Sequence, residues 1–575
     1  MKTEKHKVDF CVVGGGMAGL CAAIASARKG VKTLLMHDRP VLGGNASSEI
    51  RMWICGAHGK NMLETGIIEE IELDNLYRNN TQNYSVWDSI LYEKAAFQEN
   101  LTLLLNCSCN NASMDGNKIK SIKGWQLTTE TWHEVEANYF ADCSGDSILA
   151  PLSGAEFRYG REASGEFGES IAPEKADEKT MGMSCLIQPR ETSEPQKFIP
   201  PSWAYKYQSD DDLPNRNHAL NKYGNFWWIE IGGEADSIHD TEKNRDELLK
   251  IAFGVWDHIK NHGDHNAENW VLDWVGFLPG KRESRRYVGD HILTQNDVRS
   301  EGRFEDIAAY GGWPMDDHNP AGFRHPGAPT IFHEAPSPFG IPYRCLYSKN
   351  IDNLFFAGRN ISATHSAMSS TRVMATCSTL GQAIGTAVAI ASKNNLSPRG
   401  VYEEKIEELK QTLMDDDSYL PWNKRKVSAL TLKAEIKSSS GNPEKLRNGI
   451  DRPVKDELNA WEAALGDSVE FWFDNPEKIS GIRFVFDSDL NRKKHNMPCS
   501  YPLNFEKFAA PATLISNIKI EIRDKEGQWR EAARIENNHQ RLVKLDMNIE
   551  TEALRIVMEK TCGNEKVKIF AIDIL

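Results

Sequence analysis

The chain has 575 residues, more than a single hydrophobic core serves, so several domains are expected. Its formal net charge of −14 argues against nucleic acid or an anionic membrane as the main partner, because both repel an acidic protein. No apolar run suggests a membrane span, and the first residues lack the apolar segment of a secretory signal. The eleven cysteines are scattered, several in apolar strings such as Phe10-Cys11-Val12, which suits reduced thiols and a cytoplasmic location.

In chain order, Val8 to Val13 predicts a buried strand that runs into glycines. Met17 to Lys29, rich in alanine, predicts a helix that Gly30 ends. Val31 to Met36 predicts a second strand, which completes a βαβ unit. Leu101 to Leu105 is a further apolar strand, and Ile119 to Gln126 with Glu134 to Ala141 reads as the arms of an antiparallel excursion. From about residue 171 Pro, Trp and charged residues dominate. Regular pattern returns in a short strand at Asn353 to Gly358 and a small-residue helix at Val373 to Ala391; Val401 to Met414 is a charged helix. Alternation then takes over at Val469 to Phe473, Gly481 to Phe486, Ile518 to Ile522 and Leu554 to Val557, the signature of a separate β-sandwich.

Gly14-Gly15-Gly16-Met17-Ala18-Gly19 is G-x-G-x-x-G between a strand and a helix. In that setting the first glycine makes a tight turn, the second lets the backbone approach a pyrophosphate, and the third lets helix and strand pack closely. The start of the helix offers N–H groups and partial positive charge to phosphates. An acid at the end of the second strand would bind ribose hydroxyls; Asp38 after His37 fills that role if the strand has ended by then. Arg39 leaves room for a phosphorylated ribose, so the motif alone is compatible with FAD, NAD or NADP.

Three further segments narrow the choice. Val41-Leu42-Gly43-Gly44-Asn45, Ala141-Asp142-Cys143-Ser144-Gly145-Asp146 and Asn353-Leu354-Phe355-Phe356-Ala357-Gly358-Arg359 resemble, in order, segments of two-dinucleotide-binding-domain flavoproteins of the glutathione-reductase and fumarate-reductase type. More narrowly, Gly44 to Arg51, Pro279 to Arg286, Pro342 to Cys345 and Gly358 to His365 are similar to a bacterial FAD-dependent oxidoreductase family whose members have been labelled xanthan lyases. The resemblance spans roughly residues 8 to 395 and implies FAD as cofactor. It implies a cofactor site at Gly14, Gly15, Gly16, Met17, Ala18, Gly19, His37, Asp38, Arg39, Gly43, Gly44, Asn45, Ser48, Gly145, Asp146, Gly358 and Arg359. The expected fold class is α/β: a Rossmann-like FAD-binding domain (1–170 and 341–396) with an inserted α+β substrate domain (171–340), a helical linker (397–440) and a β-sandwich (441–575). Gly381-Gln382-Ala383-Ile384-Gly385 reads as close helix packing rather than a second nucleotide site, and Cys55 stands without the partner that disulfide reductases need.

A flavin enzyme still needs side chains that move a proton and hold charge. His365 with Arg372, just after the returning strand, is one such set; Arg282 and Arg285 in Arg282-Glu283-Ser284-Arg285-Arg286 are a second; His318 in Gly312-Trp313-Pro314-Met315-Asp316-Asp317-His318 is a third. His365 is the first choice for acid/base work. His258 and His262 are spaced for one helix face, but no H-E-x-x-H accompanies them with His265, so no metal is expected. Seven of the fifteen tryptophans fall between 171 and 340: Trp203, Trp227, Trp228, Trp256, Trp270, Trp274 and Trp313, a bias toward stacking, sugar-like ligands.

Asn448-Gly449-Ile450-Asp451-Arg452-Pro453 before Trp461, with Gln528-Trp529 before Asn537-Asn538, resembles discoidin-like, galactose-binding-like sandwiches. The functional expectation is an FAD-dependent oxidoreductase moving a hydride to or from a carbon of a small polar substrate, with carbohydrate as the candidate class. A redox-assisted glycan-cleaving enzyme and a glycan-binding protein with a structural flavin are the alternatives. Oligomeric state is left open.

Overall fold

Lys2–Val13 forms β1, whose charged start is half exposed and whose end, Phe10 to Val13, is buried on both faces. A tight glycine turn leads into α1 (Met17–Arg28), of which all but Arg28 is buried. β2 (Thr33–Met36) returns parallel to β1, with Phe10 opposite Thr33 and Val13 opposite Met36, and β3 (Leu101–Leu104) lies parallel to β2. β4 (Cys107–Asp115), β5 (Lys118–Gln126) and β6 (Thr131–Asp142) make an antiparallel meander. β6 then runs parallel to β1 along its whole length, Val13 opposite Asp142. The excursion read from the sequence is therefore this meander, whose last strand doubles as a central strand of the sheet. The computed structural model describes residues 2–221, 224–492 and 496–575.

The region after 171 is built from short strands and one long helix. β7 (Glu230–Ile231) pairs with Met183–Ser184, and α2 (Thr241–Asn261) turns its apolar face onto a core that includes Trp228, Trp256 and Trp270. β8 (Met315–His318) pairs with Thr330–His333. β9 (Leu354–Phe356) completes the large sheet beside β6, Phe356 opposite Asp142. Val13, Asp142 and Phe356 thus end three neighbouring parallel strands at one level, the sheet edge where such folds hold ligands. α3 (His365–Thr371) and α4 (Met374–Asn394) follow. A Cβ on Gly381 would lie 2.0 Å from the Ala18 carbonyl, and one on Gly385 2.2 Å from that of Ala22, so both glycines serve the packing of α4 on α1. α4 has a mean hydropathy of 1.3 and is long and apolar enough to cross a membrane, contrary to the reading of the composition. It is 89 % buried over that stretch and is a core helix of this domain.

The chain divides into two units. The first gathers Met1–Ala57, Gln82–Leu409 and His495–Lys507; the second gathers His58–Thr81, Lys410–Lys494 and Phe508–Leu575. In the second unit β10 (Ser468–Phe486), β11 (Ile515–Arg523), β12 (Leu542–Thr561) and β13 (Lys566–Ile574) are antiparallel. β10 and β12 break register after Trp472 and again after Ile479, so their halves pair with different neighbours: one half of β12 with β11, one half of β10 with β13. Phe471, Phe484, Ile518, Ile556 and Ile572 from these layers meet in one core, a β-sandwich.

Two boundaries differ from the sequence reading. The helix Ile67–Arg78, placed by sequence order with the nucleotide-binding part, belongs to the second unit: Arg492 pairs with its Glu69 and Glu72, and His539 bonds Asp74 at 2.8 Å and stacks on Tyr77. The stretch expected as a linker to 440 already joins the second unit at Lys410, and its strand Glu435–Ser438 pairs with β10. Both follow from tertiary contacts that no local pattern encodes.

Candidate active site

A cavity of about 650 Å³ opens at the ends of β1, β2 and β6. Its floor is backbone. Gly14 has φ +103°, and a Cβ there would come 2.4 Å from the Cys143 carbonyl. A Cβ on Gly19 would lie 1.8 Å from the Gly14 carbonyl, whereas one on Gly16 would meet only the Gly44 Cα, at 3.9 Å, beyond its own turn. α1 starts with Gly16 as N-cap and no side-chain cap, which leaves first-turn N–H groups for a ligand.

β2 ends at Met36, so the offset of the acid is resolved by the strand having already stopped. His37 is buried; its Nδ1 accepts the Gly15 N–H at 2.9 Å and its Nε2 donates to the Val41 carbonyl at 3.0 Å. Burial lowers its pKa to about 4, so it is a neutral brace behind the turn rather than a ligand. Asp38 lines the cavity with an exposed carboxylate. Arg39 lines it too, 3.6 Å from Glu49, and its buried Nη1 hydrogen-bonds nothing among the described residues. Further along, Asp146 takes Lys281 and Arg359 at 2.7 Å each and the Ser284 hydroxyl at 2.8 Å. Burial would raise that carboxyl, but the two cations outweigh it and hold it at about 2.

The same cavity reaches a second, side-chain wall carrying Trp227, Arg282, Trp313, Asp316, His318 and Arg372. His318, on β8, donates from Nδ1 to Glu230 at 2.6 Å and sets Nε2 3.3 Å from Asp316. Arg372 Nη2 donates to Asp316 at 3.0 Å, and Arg282 approaches Glu230 at 3.4 Å while donating to Ser184 and the Trp227 carbonyl. Both carboxyls would be raised by burial; Arg282 and His318 hold Glu230 below its ordinary value, and His318 and Arg372 hold Asp316 well below. Both are therefore anions and poor bases. His318 therefore lies between two carboxylates, with each ring nitrogen aimed at one of them. Arg285 lines the cavity beside Phe157 with no ion pair among the described residues.

The structure brings together most of the residues singled out from sequence. Gly14, Gly16, Met17, Ala18, His37, Asp38, Arg39, Gly43, Gly44, Asn45, Gly145, Asp146, Gly358 and Arg359 line the cavity, as do Arg282, Arg285, His318 and Arg372. Gly15, Gly19 and Ser48 do not: the first two act behind the turn, and the Ser48 N–H donates to Asp88. His365 is the main correction. It is buried off the cavity wall, its Nδ1 2.9 Å from Glu283 and its Nε2 3.1 Å from Asp317. Burial would lower its pKa, but the two carboxylates outweigh that and lift it to about 10. Held this way, the ring ties Glu283 to Asp317 and does not line the cavity. Sequence reasoning missed Glu230, whose only signal is a lone acid in the apolar string Trp227-Trp228-Ile229-Glu230-Ile231.

The family model described as "FAD dependent oxidoreductase" matches residues 9–413. The chain belongs to that family. Solved structures similar to part of it include the family 32 carbohydrate-binding module from Streptococcus pneumoniae EndoD, at 16 % identity over 26 % of this chain and 99 % of that one, TM-score 0.20. Another is the family 32 module from C. perfringens NanJ in complex with galactose, at 12 % identity over 26 % and 97 %, TM-score 0.19.

FAD is the cofactor of this oxidoreductase, and the cavity suits it. Gly16 at the cavity wall and the uncapped α1 could take the pyrophosphate, Asp38 at the end of β2 could take ribose hydroxyls, and the unsatisfied Arg39 Nη1 offers a donor beside them.

Proposed function

We propose that this FAD-dependent oxidoreductase moves a hydride to or from a hydroxyl-bearing carbon of a small polar, carbohydrate-like substrate, with His318 handling the hydroxyl proton. The observation that carries this reading is one cavity lined both by the glycine turn and by His318, Asp316 and Arg372, with Glu230 bonded to His318 behind it. FAD, when bound, supplies the two-electron redox step.

The chain's own residues supply the rest. Glu230 orients the His318 ring through Nδ1 and sets Nε2 beside Asp316, so Nε2 is the atom through which the ring would exchange a proton with the substrate hydroxyl. Asp316 accepts from the protonated Nε2, and His318 with Arg372 keeps Asp316 ionised. Trp227 and Trp313 offer ring faces to the C–H surfaces of a sugar-like ring, with Asp316 beside them as an acceptor. Arg285 is available for an anionic substituent such as a sugar-acid carboxylate. All eleven cysteines are free thiols, which supports a reducing, cytoplasmic setting for this activity.

The test is an anaerobic titration of the oxidised holoenzyme with a panel of polyols, aldoses and sugar acids, followed by flavin absorbance. At least one should bleach the flavin, and a keto product should accumulate in step. Release of a shorter sugar together with bleaching would shift the reading to bond cleavage. Sugar binding with no bleaching, and no reoxidation of the reduced protein by keto-sugars, would leave only a glycan-binding role.

A further inference from the structure

We propose that the first unit carries a structural zinc site built from Asp210, His218, His258 and His265. The four-residue spacing noted in the sequence is not the one the fold uses. His262 turns to Asp257 at 3.6 Å, while His258 at the end of α2 meets His265 beyond it, with Asp210 and His218 from the preceding loop. Such a site departs from the sequence expectation of no metal.

The distances are those of a coordination sphere. Nε2 of His258 lies 3.1 Å from Nε2 of His265, and Oδ1 of Asp210 lies 3.0, 3.4 and 3.5 Å from Nε2 of His258, His218 and His265. Tetrahedral zinc with bonds of ~2.0–2.1 Å sets neighbouring donor atoms about 3.3–3.4 Å apart. The three rings surround one point, His218 edge to face with both others and His258 tilted on His265, with centroids 4.8 to 5.0 Å apart and interplanar angles of 58° to 82°.

Proton placement points the same way. Nδ1 of His258 faces the Tyr207 carbonyl at 3.1 Å, and Nδ1 of His218 the Arg216 carbonyl at 2.7 Å. A carbonyl only accepts, so each Nδ1 carries the proton and each neutral ring presents a bare Nε2. Lone pairs and a carboxylate oxygen then converge on one spot, and a cation satisfies them all. Carbonyls bonded to the outer ring nitrogen are also how ligating histidines are held in the right tautomer.

Three imidazoles and one carboxylate in a closed, four-ligand set suit zinc in a structural role. His258 is fully buried beside the Trp256 and Ile259 core, and Asp210 closes the solvent side. The ion would tie residues 207–218 and the segment after α2 to the end of that helix.

The test is metal analysis of the full-length holoenzyme, dialysed against zinc and then against zinc-free buffer. Wild type should retain close to one zinc per chain. His265→Gln and His218→Gln should retain less than a tenth of that with unchanged flavin absorbance. His239→Gln, whose ring pairs with Asp236 at the surface, should keep the metal. Wild-type zinc no higher than that of His265→Gln overturns the site. Should the cluster variants not fold, a chelator on wild type decides: a Tm that falls and returns with added zinc supports the site, and an unmoved Tm with no zinc bound overturns it.

Discussion

His318 and His365 stand in nearly the same arrangement, each buried with a carboxylate at either ring nitrogen. Glu230 and Asp316 flank one, Glu283 and Asp317 the other. Only His318 lines the cavity. His365 is locked into the framework between α3 and the Glu283 segment, where Arg286 and Glu162 extend the charge network and the His365 N–H donates to Glu162. The two histidines share a kind of partner set and differ in what they face, so partner geometry alone does not separate a proposed acid/base from a brace.

The comparison can be broken or sharpened by experiment. Gly19→Ala should have the largest effect. It forces a Cβ to 1.8 Å from the Gly14 carbonyl in the turn that would take the pyrophosphate, so purified protein should carry almost no FAD by absorbance. Full flavin occupancy in that variant would remove the role given to the turn.

His318→Gln comes next. Anaerobic bleaching by whichever polyol reduces wild type should slow ~10²–10⁴-fold, the usual range for a lost acid/base, while flavin content stays the same. His365→Gln should do the reverse. Removing the cation that Glu283 and Asp317 share should cost about 3–5 kcal/mol of stability, read as lowered Tm, with bleaching slowed far less. If His365→Gln retains its Tm and loses turnover, the two assignments exchange places.

Arg285→Gln should weaken binding of an anionic sugar about 10-fold, as expected for a lost charge-assisted hydrogen bond of ~1.5 kcal/mol, and leave neutral polyols unaffected. Equal losses for both would show that Arg285 does not select charge. The smallest effect is in pH dependence. The folded-state pKa of His365 is raised from 6.5 to about 10. Its stabilisation is thus complete below about pH 6.5 and lost as pH rises through about 10. The Tm of wild type should approach that of His365→Gln across this window, whereas parallel curves would contradict the charged state assigned here.

Several features were legible in the sequence because their causes are local. The turn from Gly14 to Gly19 needs glycine for reasons within six residues and the strands around it, and the structure shows the same reasons as contacts. The alternating strands of the sandwich and the packing role of Gly381 and Gly385 were legible in the same way. The placement of Asp38 depended only on where β2 stops.

What tertiary structure decided are meetings between segments far apart in the chain. Glu230 and His318 are 88 residues apart, and nothing in either neighbourhood announces the other. His365 lies in the segment that most resembles the family, yet Glu283 and Asp317 turn it away from the cavity. The helix Ile67–Arg78 joins the second unit through Arg492 and His539, more than 400 residues later. A sequence determines which backbone a residue can adopt, because sterics act between neighbours. Which side chains share a charge, a proton or a metal depends on where distant loops are brought together, and that is a property of the packed chain alone.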